Sequence, residues 1–318
     1  QNRVDPQPKV FDEQILVPFA PESRLSGVER VLQPDEKIWY RRSFEAPHTK
    51  GEVVILHFCA VDFCCELFIN GSRVGEHWGG YLPFSFDITR FLVDGENELV
   101  LACTDATEAE LHQKGKQRLE PGGIWYTSVS GIWQTVWLEV LPRQHIQSLK
   151  LTPNLDVCEL LVEAVLSEGL DRNRMEVKAI ASFDGQEVAR ARAESANHLL
   201  LHIPEPKKWH PDHPCLYDLT VRLKVDGVVV DEVSSYFAMR KFGKTRDEKG
   251  FWRFTLNDEP IFQFGPLDQG YFPEGLYTAP SEEAMLFDIE YAKKIGCNMI
   301  RKHVKVEPAR WYYACDRL

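Results

Sequence analysis

The chain has 318 residues, of which 44% are hydrophobic, 11% aromatic and 27% charged, with a net charge of −11. That length calls for two or three domains with real cores, and the acidity argues against nucleic acid or an anionic membrane surface as partner. No apolar run approaches the roughly eighteen residues that a spanning helix needs, and no secretory leader is visible, although the chain opens on Gln1 and export stays open.

From residue 1 to about 142, apolar runs alternate with tight turns. Asn70-Gly71 joins residues 66–69 to 72–75, and Asp94-Gly95 precedes 98–103. Such dipeptides supply the positive φ that hairpin turns require. Residues 53–61 are nearly all apolar, as in a strand buried on both faces. The expected class is a β-sandwich of jelly-roll type.

Residues 143–241 repeat the style at smaller scale. Asp184-Gly185 and Asp226-Gly227 mark two more hairpins, and residues 221–225 alternate with period two. About a hundred residues of short strands suit an immunoglobulin-like sandwich. The Pro-rich run 204–214 reads as a rigid surface crossing.

From Phe242 to Leu318 the period changes. Residues 251–265 read as a hairpin leading into a strand. A helix is expected over 281–295, with Ser281 as N-cap, Glu282 and Glu283 in its first turn, and Gly296 as its stop. Met285, Ile289, Ala292 and Ile295 form its apolar stripe. A strand over 298–303 and a helix opened by Pro308 follow. Strand, helix, strand, helix is the opening quarter of a (β/α)8 TIM barrel, which two strands cannot close.

Barrel chemistry gathers at the carboxyl ends of strands. Here these are Asp268 and Gln269, beside Tyr271, and then Arg301 and His303. Equal parity sends Arg301 and His303 to one side of their strand. They would present a fixed positive charge and a titratable ring, or else an arginine–carboxylate brace and a buried histidine. Asp268 is suited to a sugar hydroxyl or to capping its own loop. Trp78 and Tyr81 form one aromatic group. Trp125, Tyr126, Trp133 and Trp137 form another, with Trp133 and Trp137 expected in the core and the glycine-flanked Trp125 and Tyr126 exposed. Aromatic faces beside polar groups suit carbohydrate.

There is no phosphate loop, HExxH or GxSxG, so no cofactor and no metal site is implied. The eight cysteines lack a CxxC pair. Free thiols in a reducing compartment, the cytoplasm, are favoured over a disulfide framework, with the periplasm or secretion as the alternative.

Several of these segments resemble glycoside hydrolase family 2, the family of β-galactosidases, β-glucuronidases and β-mannosidases. Val61-Asp62-Phe63, Leu67-Phe68-Ile69-Asn70-Gly71, Val74-Gly75-Glu76-His77 and Gly79-Gly80-Tyr81-Leu82-Pro83-Phe84 are similar to its sugar-binding domain, as is Ser130-Gly131-Ile132-Trp133-Gln134. Pro214-Cys215-Leu216-Tyr217-Asp218-Leu219 and Phe237-Ala238-Met239-Arg240-Lys241 look like its immunoglobulin-like domain. Leu256-Asn257-Asp258-Glu259-Pro260, Gly296-Cys297-Asn298-Met299-Ile300-Arg301 and Trp311-Tyr312-Tyr313-Ala314-Cys315-Asp316 resemble its barrel start.

The resemblance implies a retaining β-glycosidase acting through two glutamates, both on later barrel strands. No residue of this chain matches either, so the pair is expected beyond Leu318 and this piece alone would be inactive. Arg301 carries over to the family's second-strand arginine, and His303 less directly, because the local pattern departs from Ser-His-Tyr-Pro. Leu267-Asp268-Gln269-Gly270 stands where Asn-Arg-His-Glu is common, and the first-domain carboxylate of some galactosidases falls near Trp125. The resemblance therefore does not carry galactose specificity or the metal site of the large galactosidases. The expected substrate-rim residues are Asp268, Gln269, Arg301 and His303, with Trp125 and Tyr126. The expected partner is a carbohydrate, and a homo-oligomer is left open. The rival reading is a non-catalytic carbohydrate binder with a vestigial barrel segment.

Overall fold

The computed structural model describes residues 7–46 and 51–318, so Gln1 lies outside the described residues. Strands hold 45% of the chain and helices 10%, which makes the fold mainly β, as the spacing of turns predicts. Two compact units are present. One takes in the chain up to Val140 together with Leu267–Asp288 and Arg301–Tyr312. The other comprises Leu141–Pro266, Ile289–Ile300 and Tyr313–Leu318. Residues 242–318 thus form no compact unit of their own.

In the first unit the main sandwich strands are β1 (Ile38–Glu45), β2 (Glu52–Phe58), β3 (Cys64–Ile69), β4 (Ser72–Trp78), β5 (Phe84–Asp87), β6 (Glu96–Thr104) and β7 (Val136–Pro142). One sheet runs β1-β6-β3-β4 and a second runs β7-β2-β5. Their inward residues meet in one core. Tyr40, Leu67, Leu101 and Cys103 come from the first sheet, and Val54, Leu56 and Phe58 from the second. The two sheets therefore make a sandwich. Asn70 and Gly71 have φ of 49° and 74°, which is the conformation a two-residue hairpin turn needs. The apolar run over 53–61 is buried on one face only. Val54, Leu56 and Phe58 face the core, while Val53, Ile55 and His57 are half-exposed.

Buried Asn97 ties this sandwich's corner. Its Oδ1 accepts from the Val93 N–H and from Asn70 Nδ2, and its own amide donates to the Val93 and Gly95 carbonyls, all at 2.8–3.1 Å. Every bond the side chain can make is used, so its burial costs little.

In the second unit, β8 (Ile146–Asn154), β9 (Glu159–Leu166) and β12 (His198–His202) form one sheet in the order β8-β9-β12. Strands β10 (Met175–Phe183), β11 (Gln186–Glu194), β13 (Tyr217–Val225) and β14 (Val228–Phe237) form the other, ordered β11-β10-β13-β14. Leu160, Val162, Val177, Ala179, Leu219, Val221 and Leu223 fill the space between them. Asp184-Gly185 and Asp226-Gly227 are both at positive φ and close the β10–β11 and β13–β14 hairpins. Trp209, inside the Pro-rich crossing, is buried, with its indole N–H donating to the Asp316 carbonyl at 2.6 Å. The hairpin β15 (Phe242–Arg246) and β16 (Trp252–Leu256) follows.

The remaining elements are β17 (Leu267–Asp268), α1 (Glu282–Lys294), β18 (Arg301–Lys302) and α2 (Ala309–Arg317). Ser281 caps α1, accepting from the Ala284 N–H at 3.2 Å, and Gly296 stops it at φ 89°. Met285, Ile289 and Ala292 are buried, but Ile295 is exposed. The expected strand over 298–303 shortens to two paired residues.

Candidate functional site

β17 and β18 pair in parallel, Leu267 with Arg301 and Asp268 with Lys302, and the His303 N–H extends the ladder to the Asp268 carbonyl at 2.8 Å. Alternation then decides what is buried. Leu267 and Arg301 are exposed, whereas Asp268 and Lys302 turn inward. Lys302 pairs with the Asp268 carboxylate, lies 2.7 Å from Glu307 and sits 4.6 Å from the centre of the Trp311 ring. Burial opposes its charge, but Glu307 and Asp268 outweigh burial and hold its pKa above the ordinary lysine value.

Lys305 lies deeper. Its side chain is fully buried, and its ammonium donates to the Gly270 and Tyr277 carbonyls at 2.6 and 2.7 Å and faces Glu307 at 3.0 Å. Burial dominates here and brings its pKa down to about 8. Gly270, at φ 65°, makes the packing feasible, since a Cβ there would come within 2.4 Å of Glu307 and 2.8 Å of the Lys305 ammonium. Asp268 accepts from the Gly270 N–H at 2.8 Å, so the loop after β17 is fixed at both ends.

A chain of rings continues from this loop. Tyr126 stacks on Tyr271 at 3.8 Å with 9° between planes, and Tyr271, Tyr277 and Trp133 follow at 4.6 and 5.1 Å. Tyr277 donates to the Val304 carbonyl at 3.3 Å and shares a second contact with the Tyr81 hydroxyl. The Trp133 indole N–H donates to the Gly80 carbonyl at 2.8 Å, and Thr278 donates to the Trp133 carbonyl at 2.6 Å. Burial raises the pKa of Tyr81, Tyr271 and Tyr277, so all three stay neutral hydroxyls. Beneath them, Gln117 holds the Val129 N–H at 2.6 Å and reaches Asp62, whose carboxyl is pushed well up by burial and then by Asp105. Glu22, bonded to the Ser130 N–H at 3.1 Å, is raised by burial to about 7.

The anticipated residues divide. Asp268 is committed to Lys302 and its own loop. Gln269 keeps a buried Oε1 with no hydrogen-bond partner among the described residues. Arg301 is exposed and forms no ion pair with a described residue. His303 is half-buried. Trp125 is half-buried under Arg118, whose guanidinium lies 4.2 Å from its ring centre. Tyr126 is held by Tyr271. Trp133 is fully buried, but Trp137 is 43% exposed and stacks on His57, because β7 begins at Val136 and breaks the assumed alternation between the two indoles. Lys302, Lys305 and Glu307 went unread as a group, although two lysines and a glutamate spaced by Val304 and Val306 are a signature of charges forced to pair inward. Among the described residues no group of three or more His, Cys, Asp or Glu is placed to hold a metal ion.

Residues 28–142 match the profile of the glycosyl hydrolases family 2 sugar binding domain, and residues 144–240 match the glycosyl hydrolases family 2 profile that follows it. The chain belongs to glycosyl hydrolase family 2. Among its relatives, this family 2 chain is 28% identical to a putative β-glucuronidase of Formosa agariphila over 88% of its own length and 34% of the relative's. It is 25% identical to a β-galactosidase of Thermoanaerobacter pseudethanolicus, over 88% of its own length and 38% of the relative's. The chain thus spans about a third of the length of these curated relatives. Among solved folds, an FMN-binding β-glucuronidase from Facaelibacterium prausnitzii superposes with a TM-score of 0.77 at 21% identity, over 97% of this chain and 48% of that one. A Bacteroides uniformis β-glucuronidase gives 0.76 at 24%, over 98% and 38%.

Proposed function

We propose that this family 2 chain is the N-terminal part of a retaining β-glycosidase that hydrolyses terminal β-linked sugars. In this reading the first sandwich is a jelly roll, the second is immunoglobulin-like, and residues 242–318 are the first two β/α units of a catalytic barrel. The observation that carries the reading is the parallel pairing of β17 with β18, with α1 between them and α2 after them. A parallel pair joined through a helix is the repeating unit of such a barrel. Exposed apolar side chains in the second unit add support. Phe254 and Phe262 are 64% and 83% exposed, and Phe242, Phe264 and Ile295 also face out. In this reading further elements of the barrel would cover such side chains.

The acid/base and the nucleophile, two carboxylates about 5 Å apart in a retaining enzyme, would come from strands beyond these two. Within this chain, Arg301 and Gln269 offer the sugar an exposed cation and a buried acceptor, with His303, Trp125 and Tyr126 at the rim. Asp268 holds the loop in place and contributes least to direct contact.

The test is hydrolysis of a panel of aryl β-glycosides by the full-length gene product, with and without Arg301→Ala. Turnover of one glycoside, lowered roughly 100-fold or more in kcat/KM by the substitution, is expected. Absence of turnover of every glycoside by a folded full-length protein overturns the enzymatic reading in favour of a carbohydrate binder.

A further inference from the structure

None of the eight cysteines is in a disulfide, yet two of them face each other. Cys65 in β3 is the register partner of Cys103 in β6. They are 2% and 1% exposed and belong to the same apolar cluster as Leu67 and Leu101. Directly opposed residues of antiparallel strands point to the same side of the sheet.

The class of pair follows from the backbone. Just past the end of this ladder, the Asn70 N–H donates to the Glu98 carbonyl at 2.9 Å, which makes Asn70 and Glu98 a hydrogen-bonded position. The register from Cys64:Thr104 to Ile69:Leu99 runs without a shift. Hydrogen-bonded and non-hydrogen-bonded positions alternate, so an odd count of steps back from Asn70 puts Cys65:Cys103 on a non-hydrogen-bonded position. Such pairs are the closer kind, with Cα atoms about 4.5 Å apart, inside the span of about 4.4–6.8 Å that disulfides occupy. Cys64, one residue earlier, belongs to the other face of the sheet and opposes Thr104.

We propose that Cys65 and Cys103 are a disulfide site, closed when the chain folds in the presence of a small-molecule disulfide oxidant. One thiolate attacks the oxidant's S–S bond and releases one small thiol. The second thiolate then attacks the mixed disulfide and releases the other. Two protein thiols lose two protons and two electrons, and the oxidant is reduced to two thiols. Burial raises the pKa of both groups, that of Cys65 to about 12, so in the closed core they are poor nucleophiles. The exchange therefore belongs to the stage when the strands come together. The bond would tie the two central strands of the four-stranded sheet.

The chain is unfolded under reducing conditions and refolded into mixed oxidised and reduced glutathione. Remaining thiols are alkylated, and the protein is digested without reduction for mass spectrometry, with fragment ions that separate Cys64 from Cys65. The expected result is a Cys65–Cys103 cross-link as the dominant species, with the other six thiols alkylated. Alkylation of both Cys65 and Cys103 in folded protein overturns the proposal, and so does capture of Cys103 by Cys64. A second arm starts from native protein held with oxidised glutathione a few degrees below its unfolding midpoint, so that failed refolding leaves the question decidable. The same cross-link is expected there, and Cys103→Ala must abolish it and leave Cys65 alkylated.

Discussion

Tyr126 lies flat on Tyr271, ring centres 3.8 Å apart, so a loop of the first sandwich and the loop that follows β17 share one stacked contact. The two residues are far apart in sequence, and only the folded chain makes the contact available. A double-mutant cycle with Tyr126→Ala and Tyr271→Ala should return a coupling of about 1 kcal/mol, the size expected of a stacked aromatic pair. Urea denaturation of the four proteins measures it.

Glu22 sets a dependence of stability on pH. Its pKa rises from 4.5 unfolded to about 7 folded, mainly through burial. A raised acid favours the folded state fully below the unfolded value, and that contribution is lost as pH climbs through the folded one. Glu22→Gln should therefore leave stability nearly unchanged at the acid end of this window and raise it above the upper end. Because the residue is partly exposed, the gain is about 2 kcal/mol rather than the full value of the shift. Denaturation midpoints on either side of the window test it.

Lys305 behaves in the opposite sense. Its pKa falls from 10.5 unfolded to about 8 folded, so the folded state binds its proton less tightly. The penalty is complete below the folded value and fades as pH rises to the unfolded one. Lys305→Met removes two hydrogen bonds to carbonyls and should cost about 2–3 kcal/mol. The gap between wild type and variant should widen from pH 8 toward 10. Nitrogen NMR of the ammonium group should show a midpoint near 8.

Gly265 is fixed by contact, not by φ. A Cβ there would lie 1.7 Å from the Met299 carbonyl oxygen, a backbone atom that cannot swing aside. Gly265→Ala should cost about 3 kcal/mol or more. Gly227→Ala, at φ 79° with nothing within 4 Å, should cost only about 1 kcal/mol of backbone strain. Thermal melts of the two variants separate crowding from conformation.

Local chemistry made much of the architecture readable. Asn70-Gly71, Asp184-Gly185 and Asp226-Gly227 dictate hairpins because few other dipeptides accept two positive φ values in a row. Ser281, Pro308 and Gly296 mark helix ends for similarly local reasons. The polar core at β18 is less accessible, because beside the nearby Glu307 the partners of Lys302 and Lys305 are remote in sequence, Asp268 and the Gly270 and Tyr277 carbonyls. Parity in a strand pointed to Arg301 and His303, yet the ladder lasts two residues and sends Lys302 inward between them. Trp137 departs from the expected core position for a related reason, since alternation holds only inside a strand and Trp133 precedes β7.

The two-residue ladder of β17 and β18 is too brief to persist unaided. Both strands belong to the unit that contains the first sandwich, and Tyr126 and the buried Lys305 hold the loop that follows β17. A chain shorn of its opening 140 residues would leave the parallel pair without most of the unit to which it belongs.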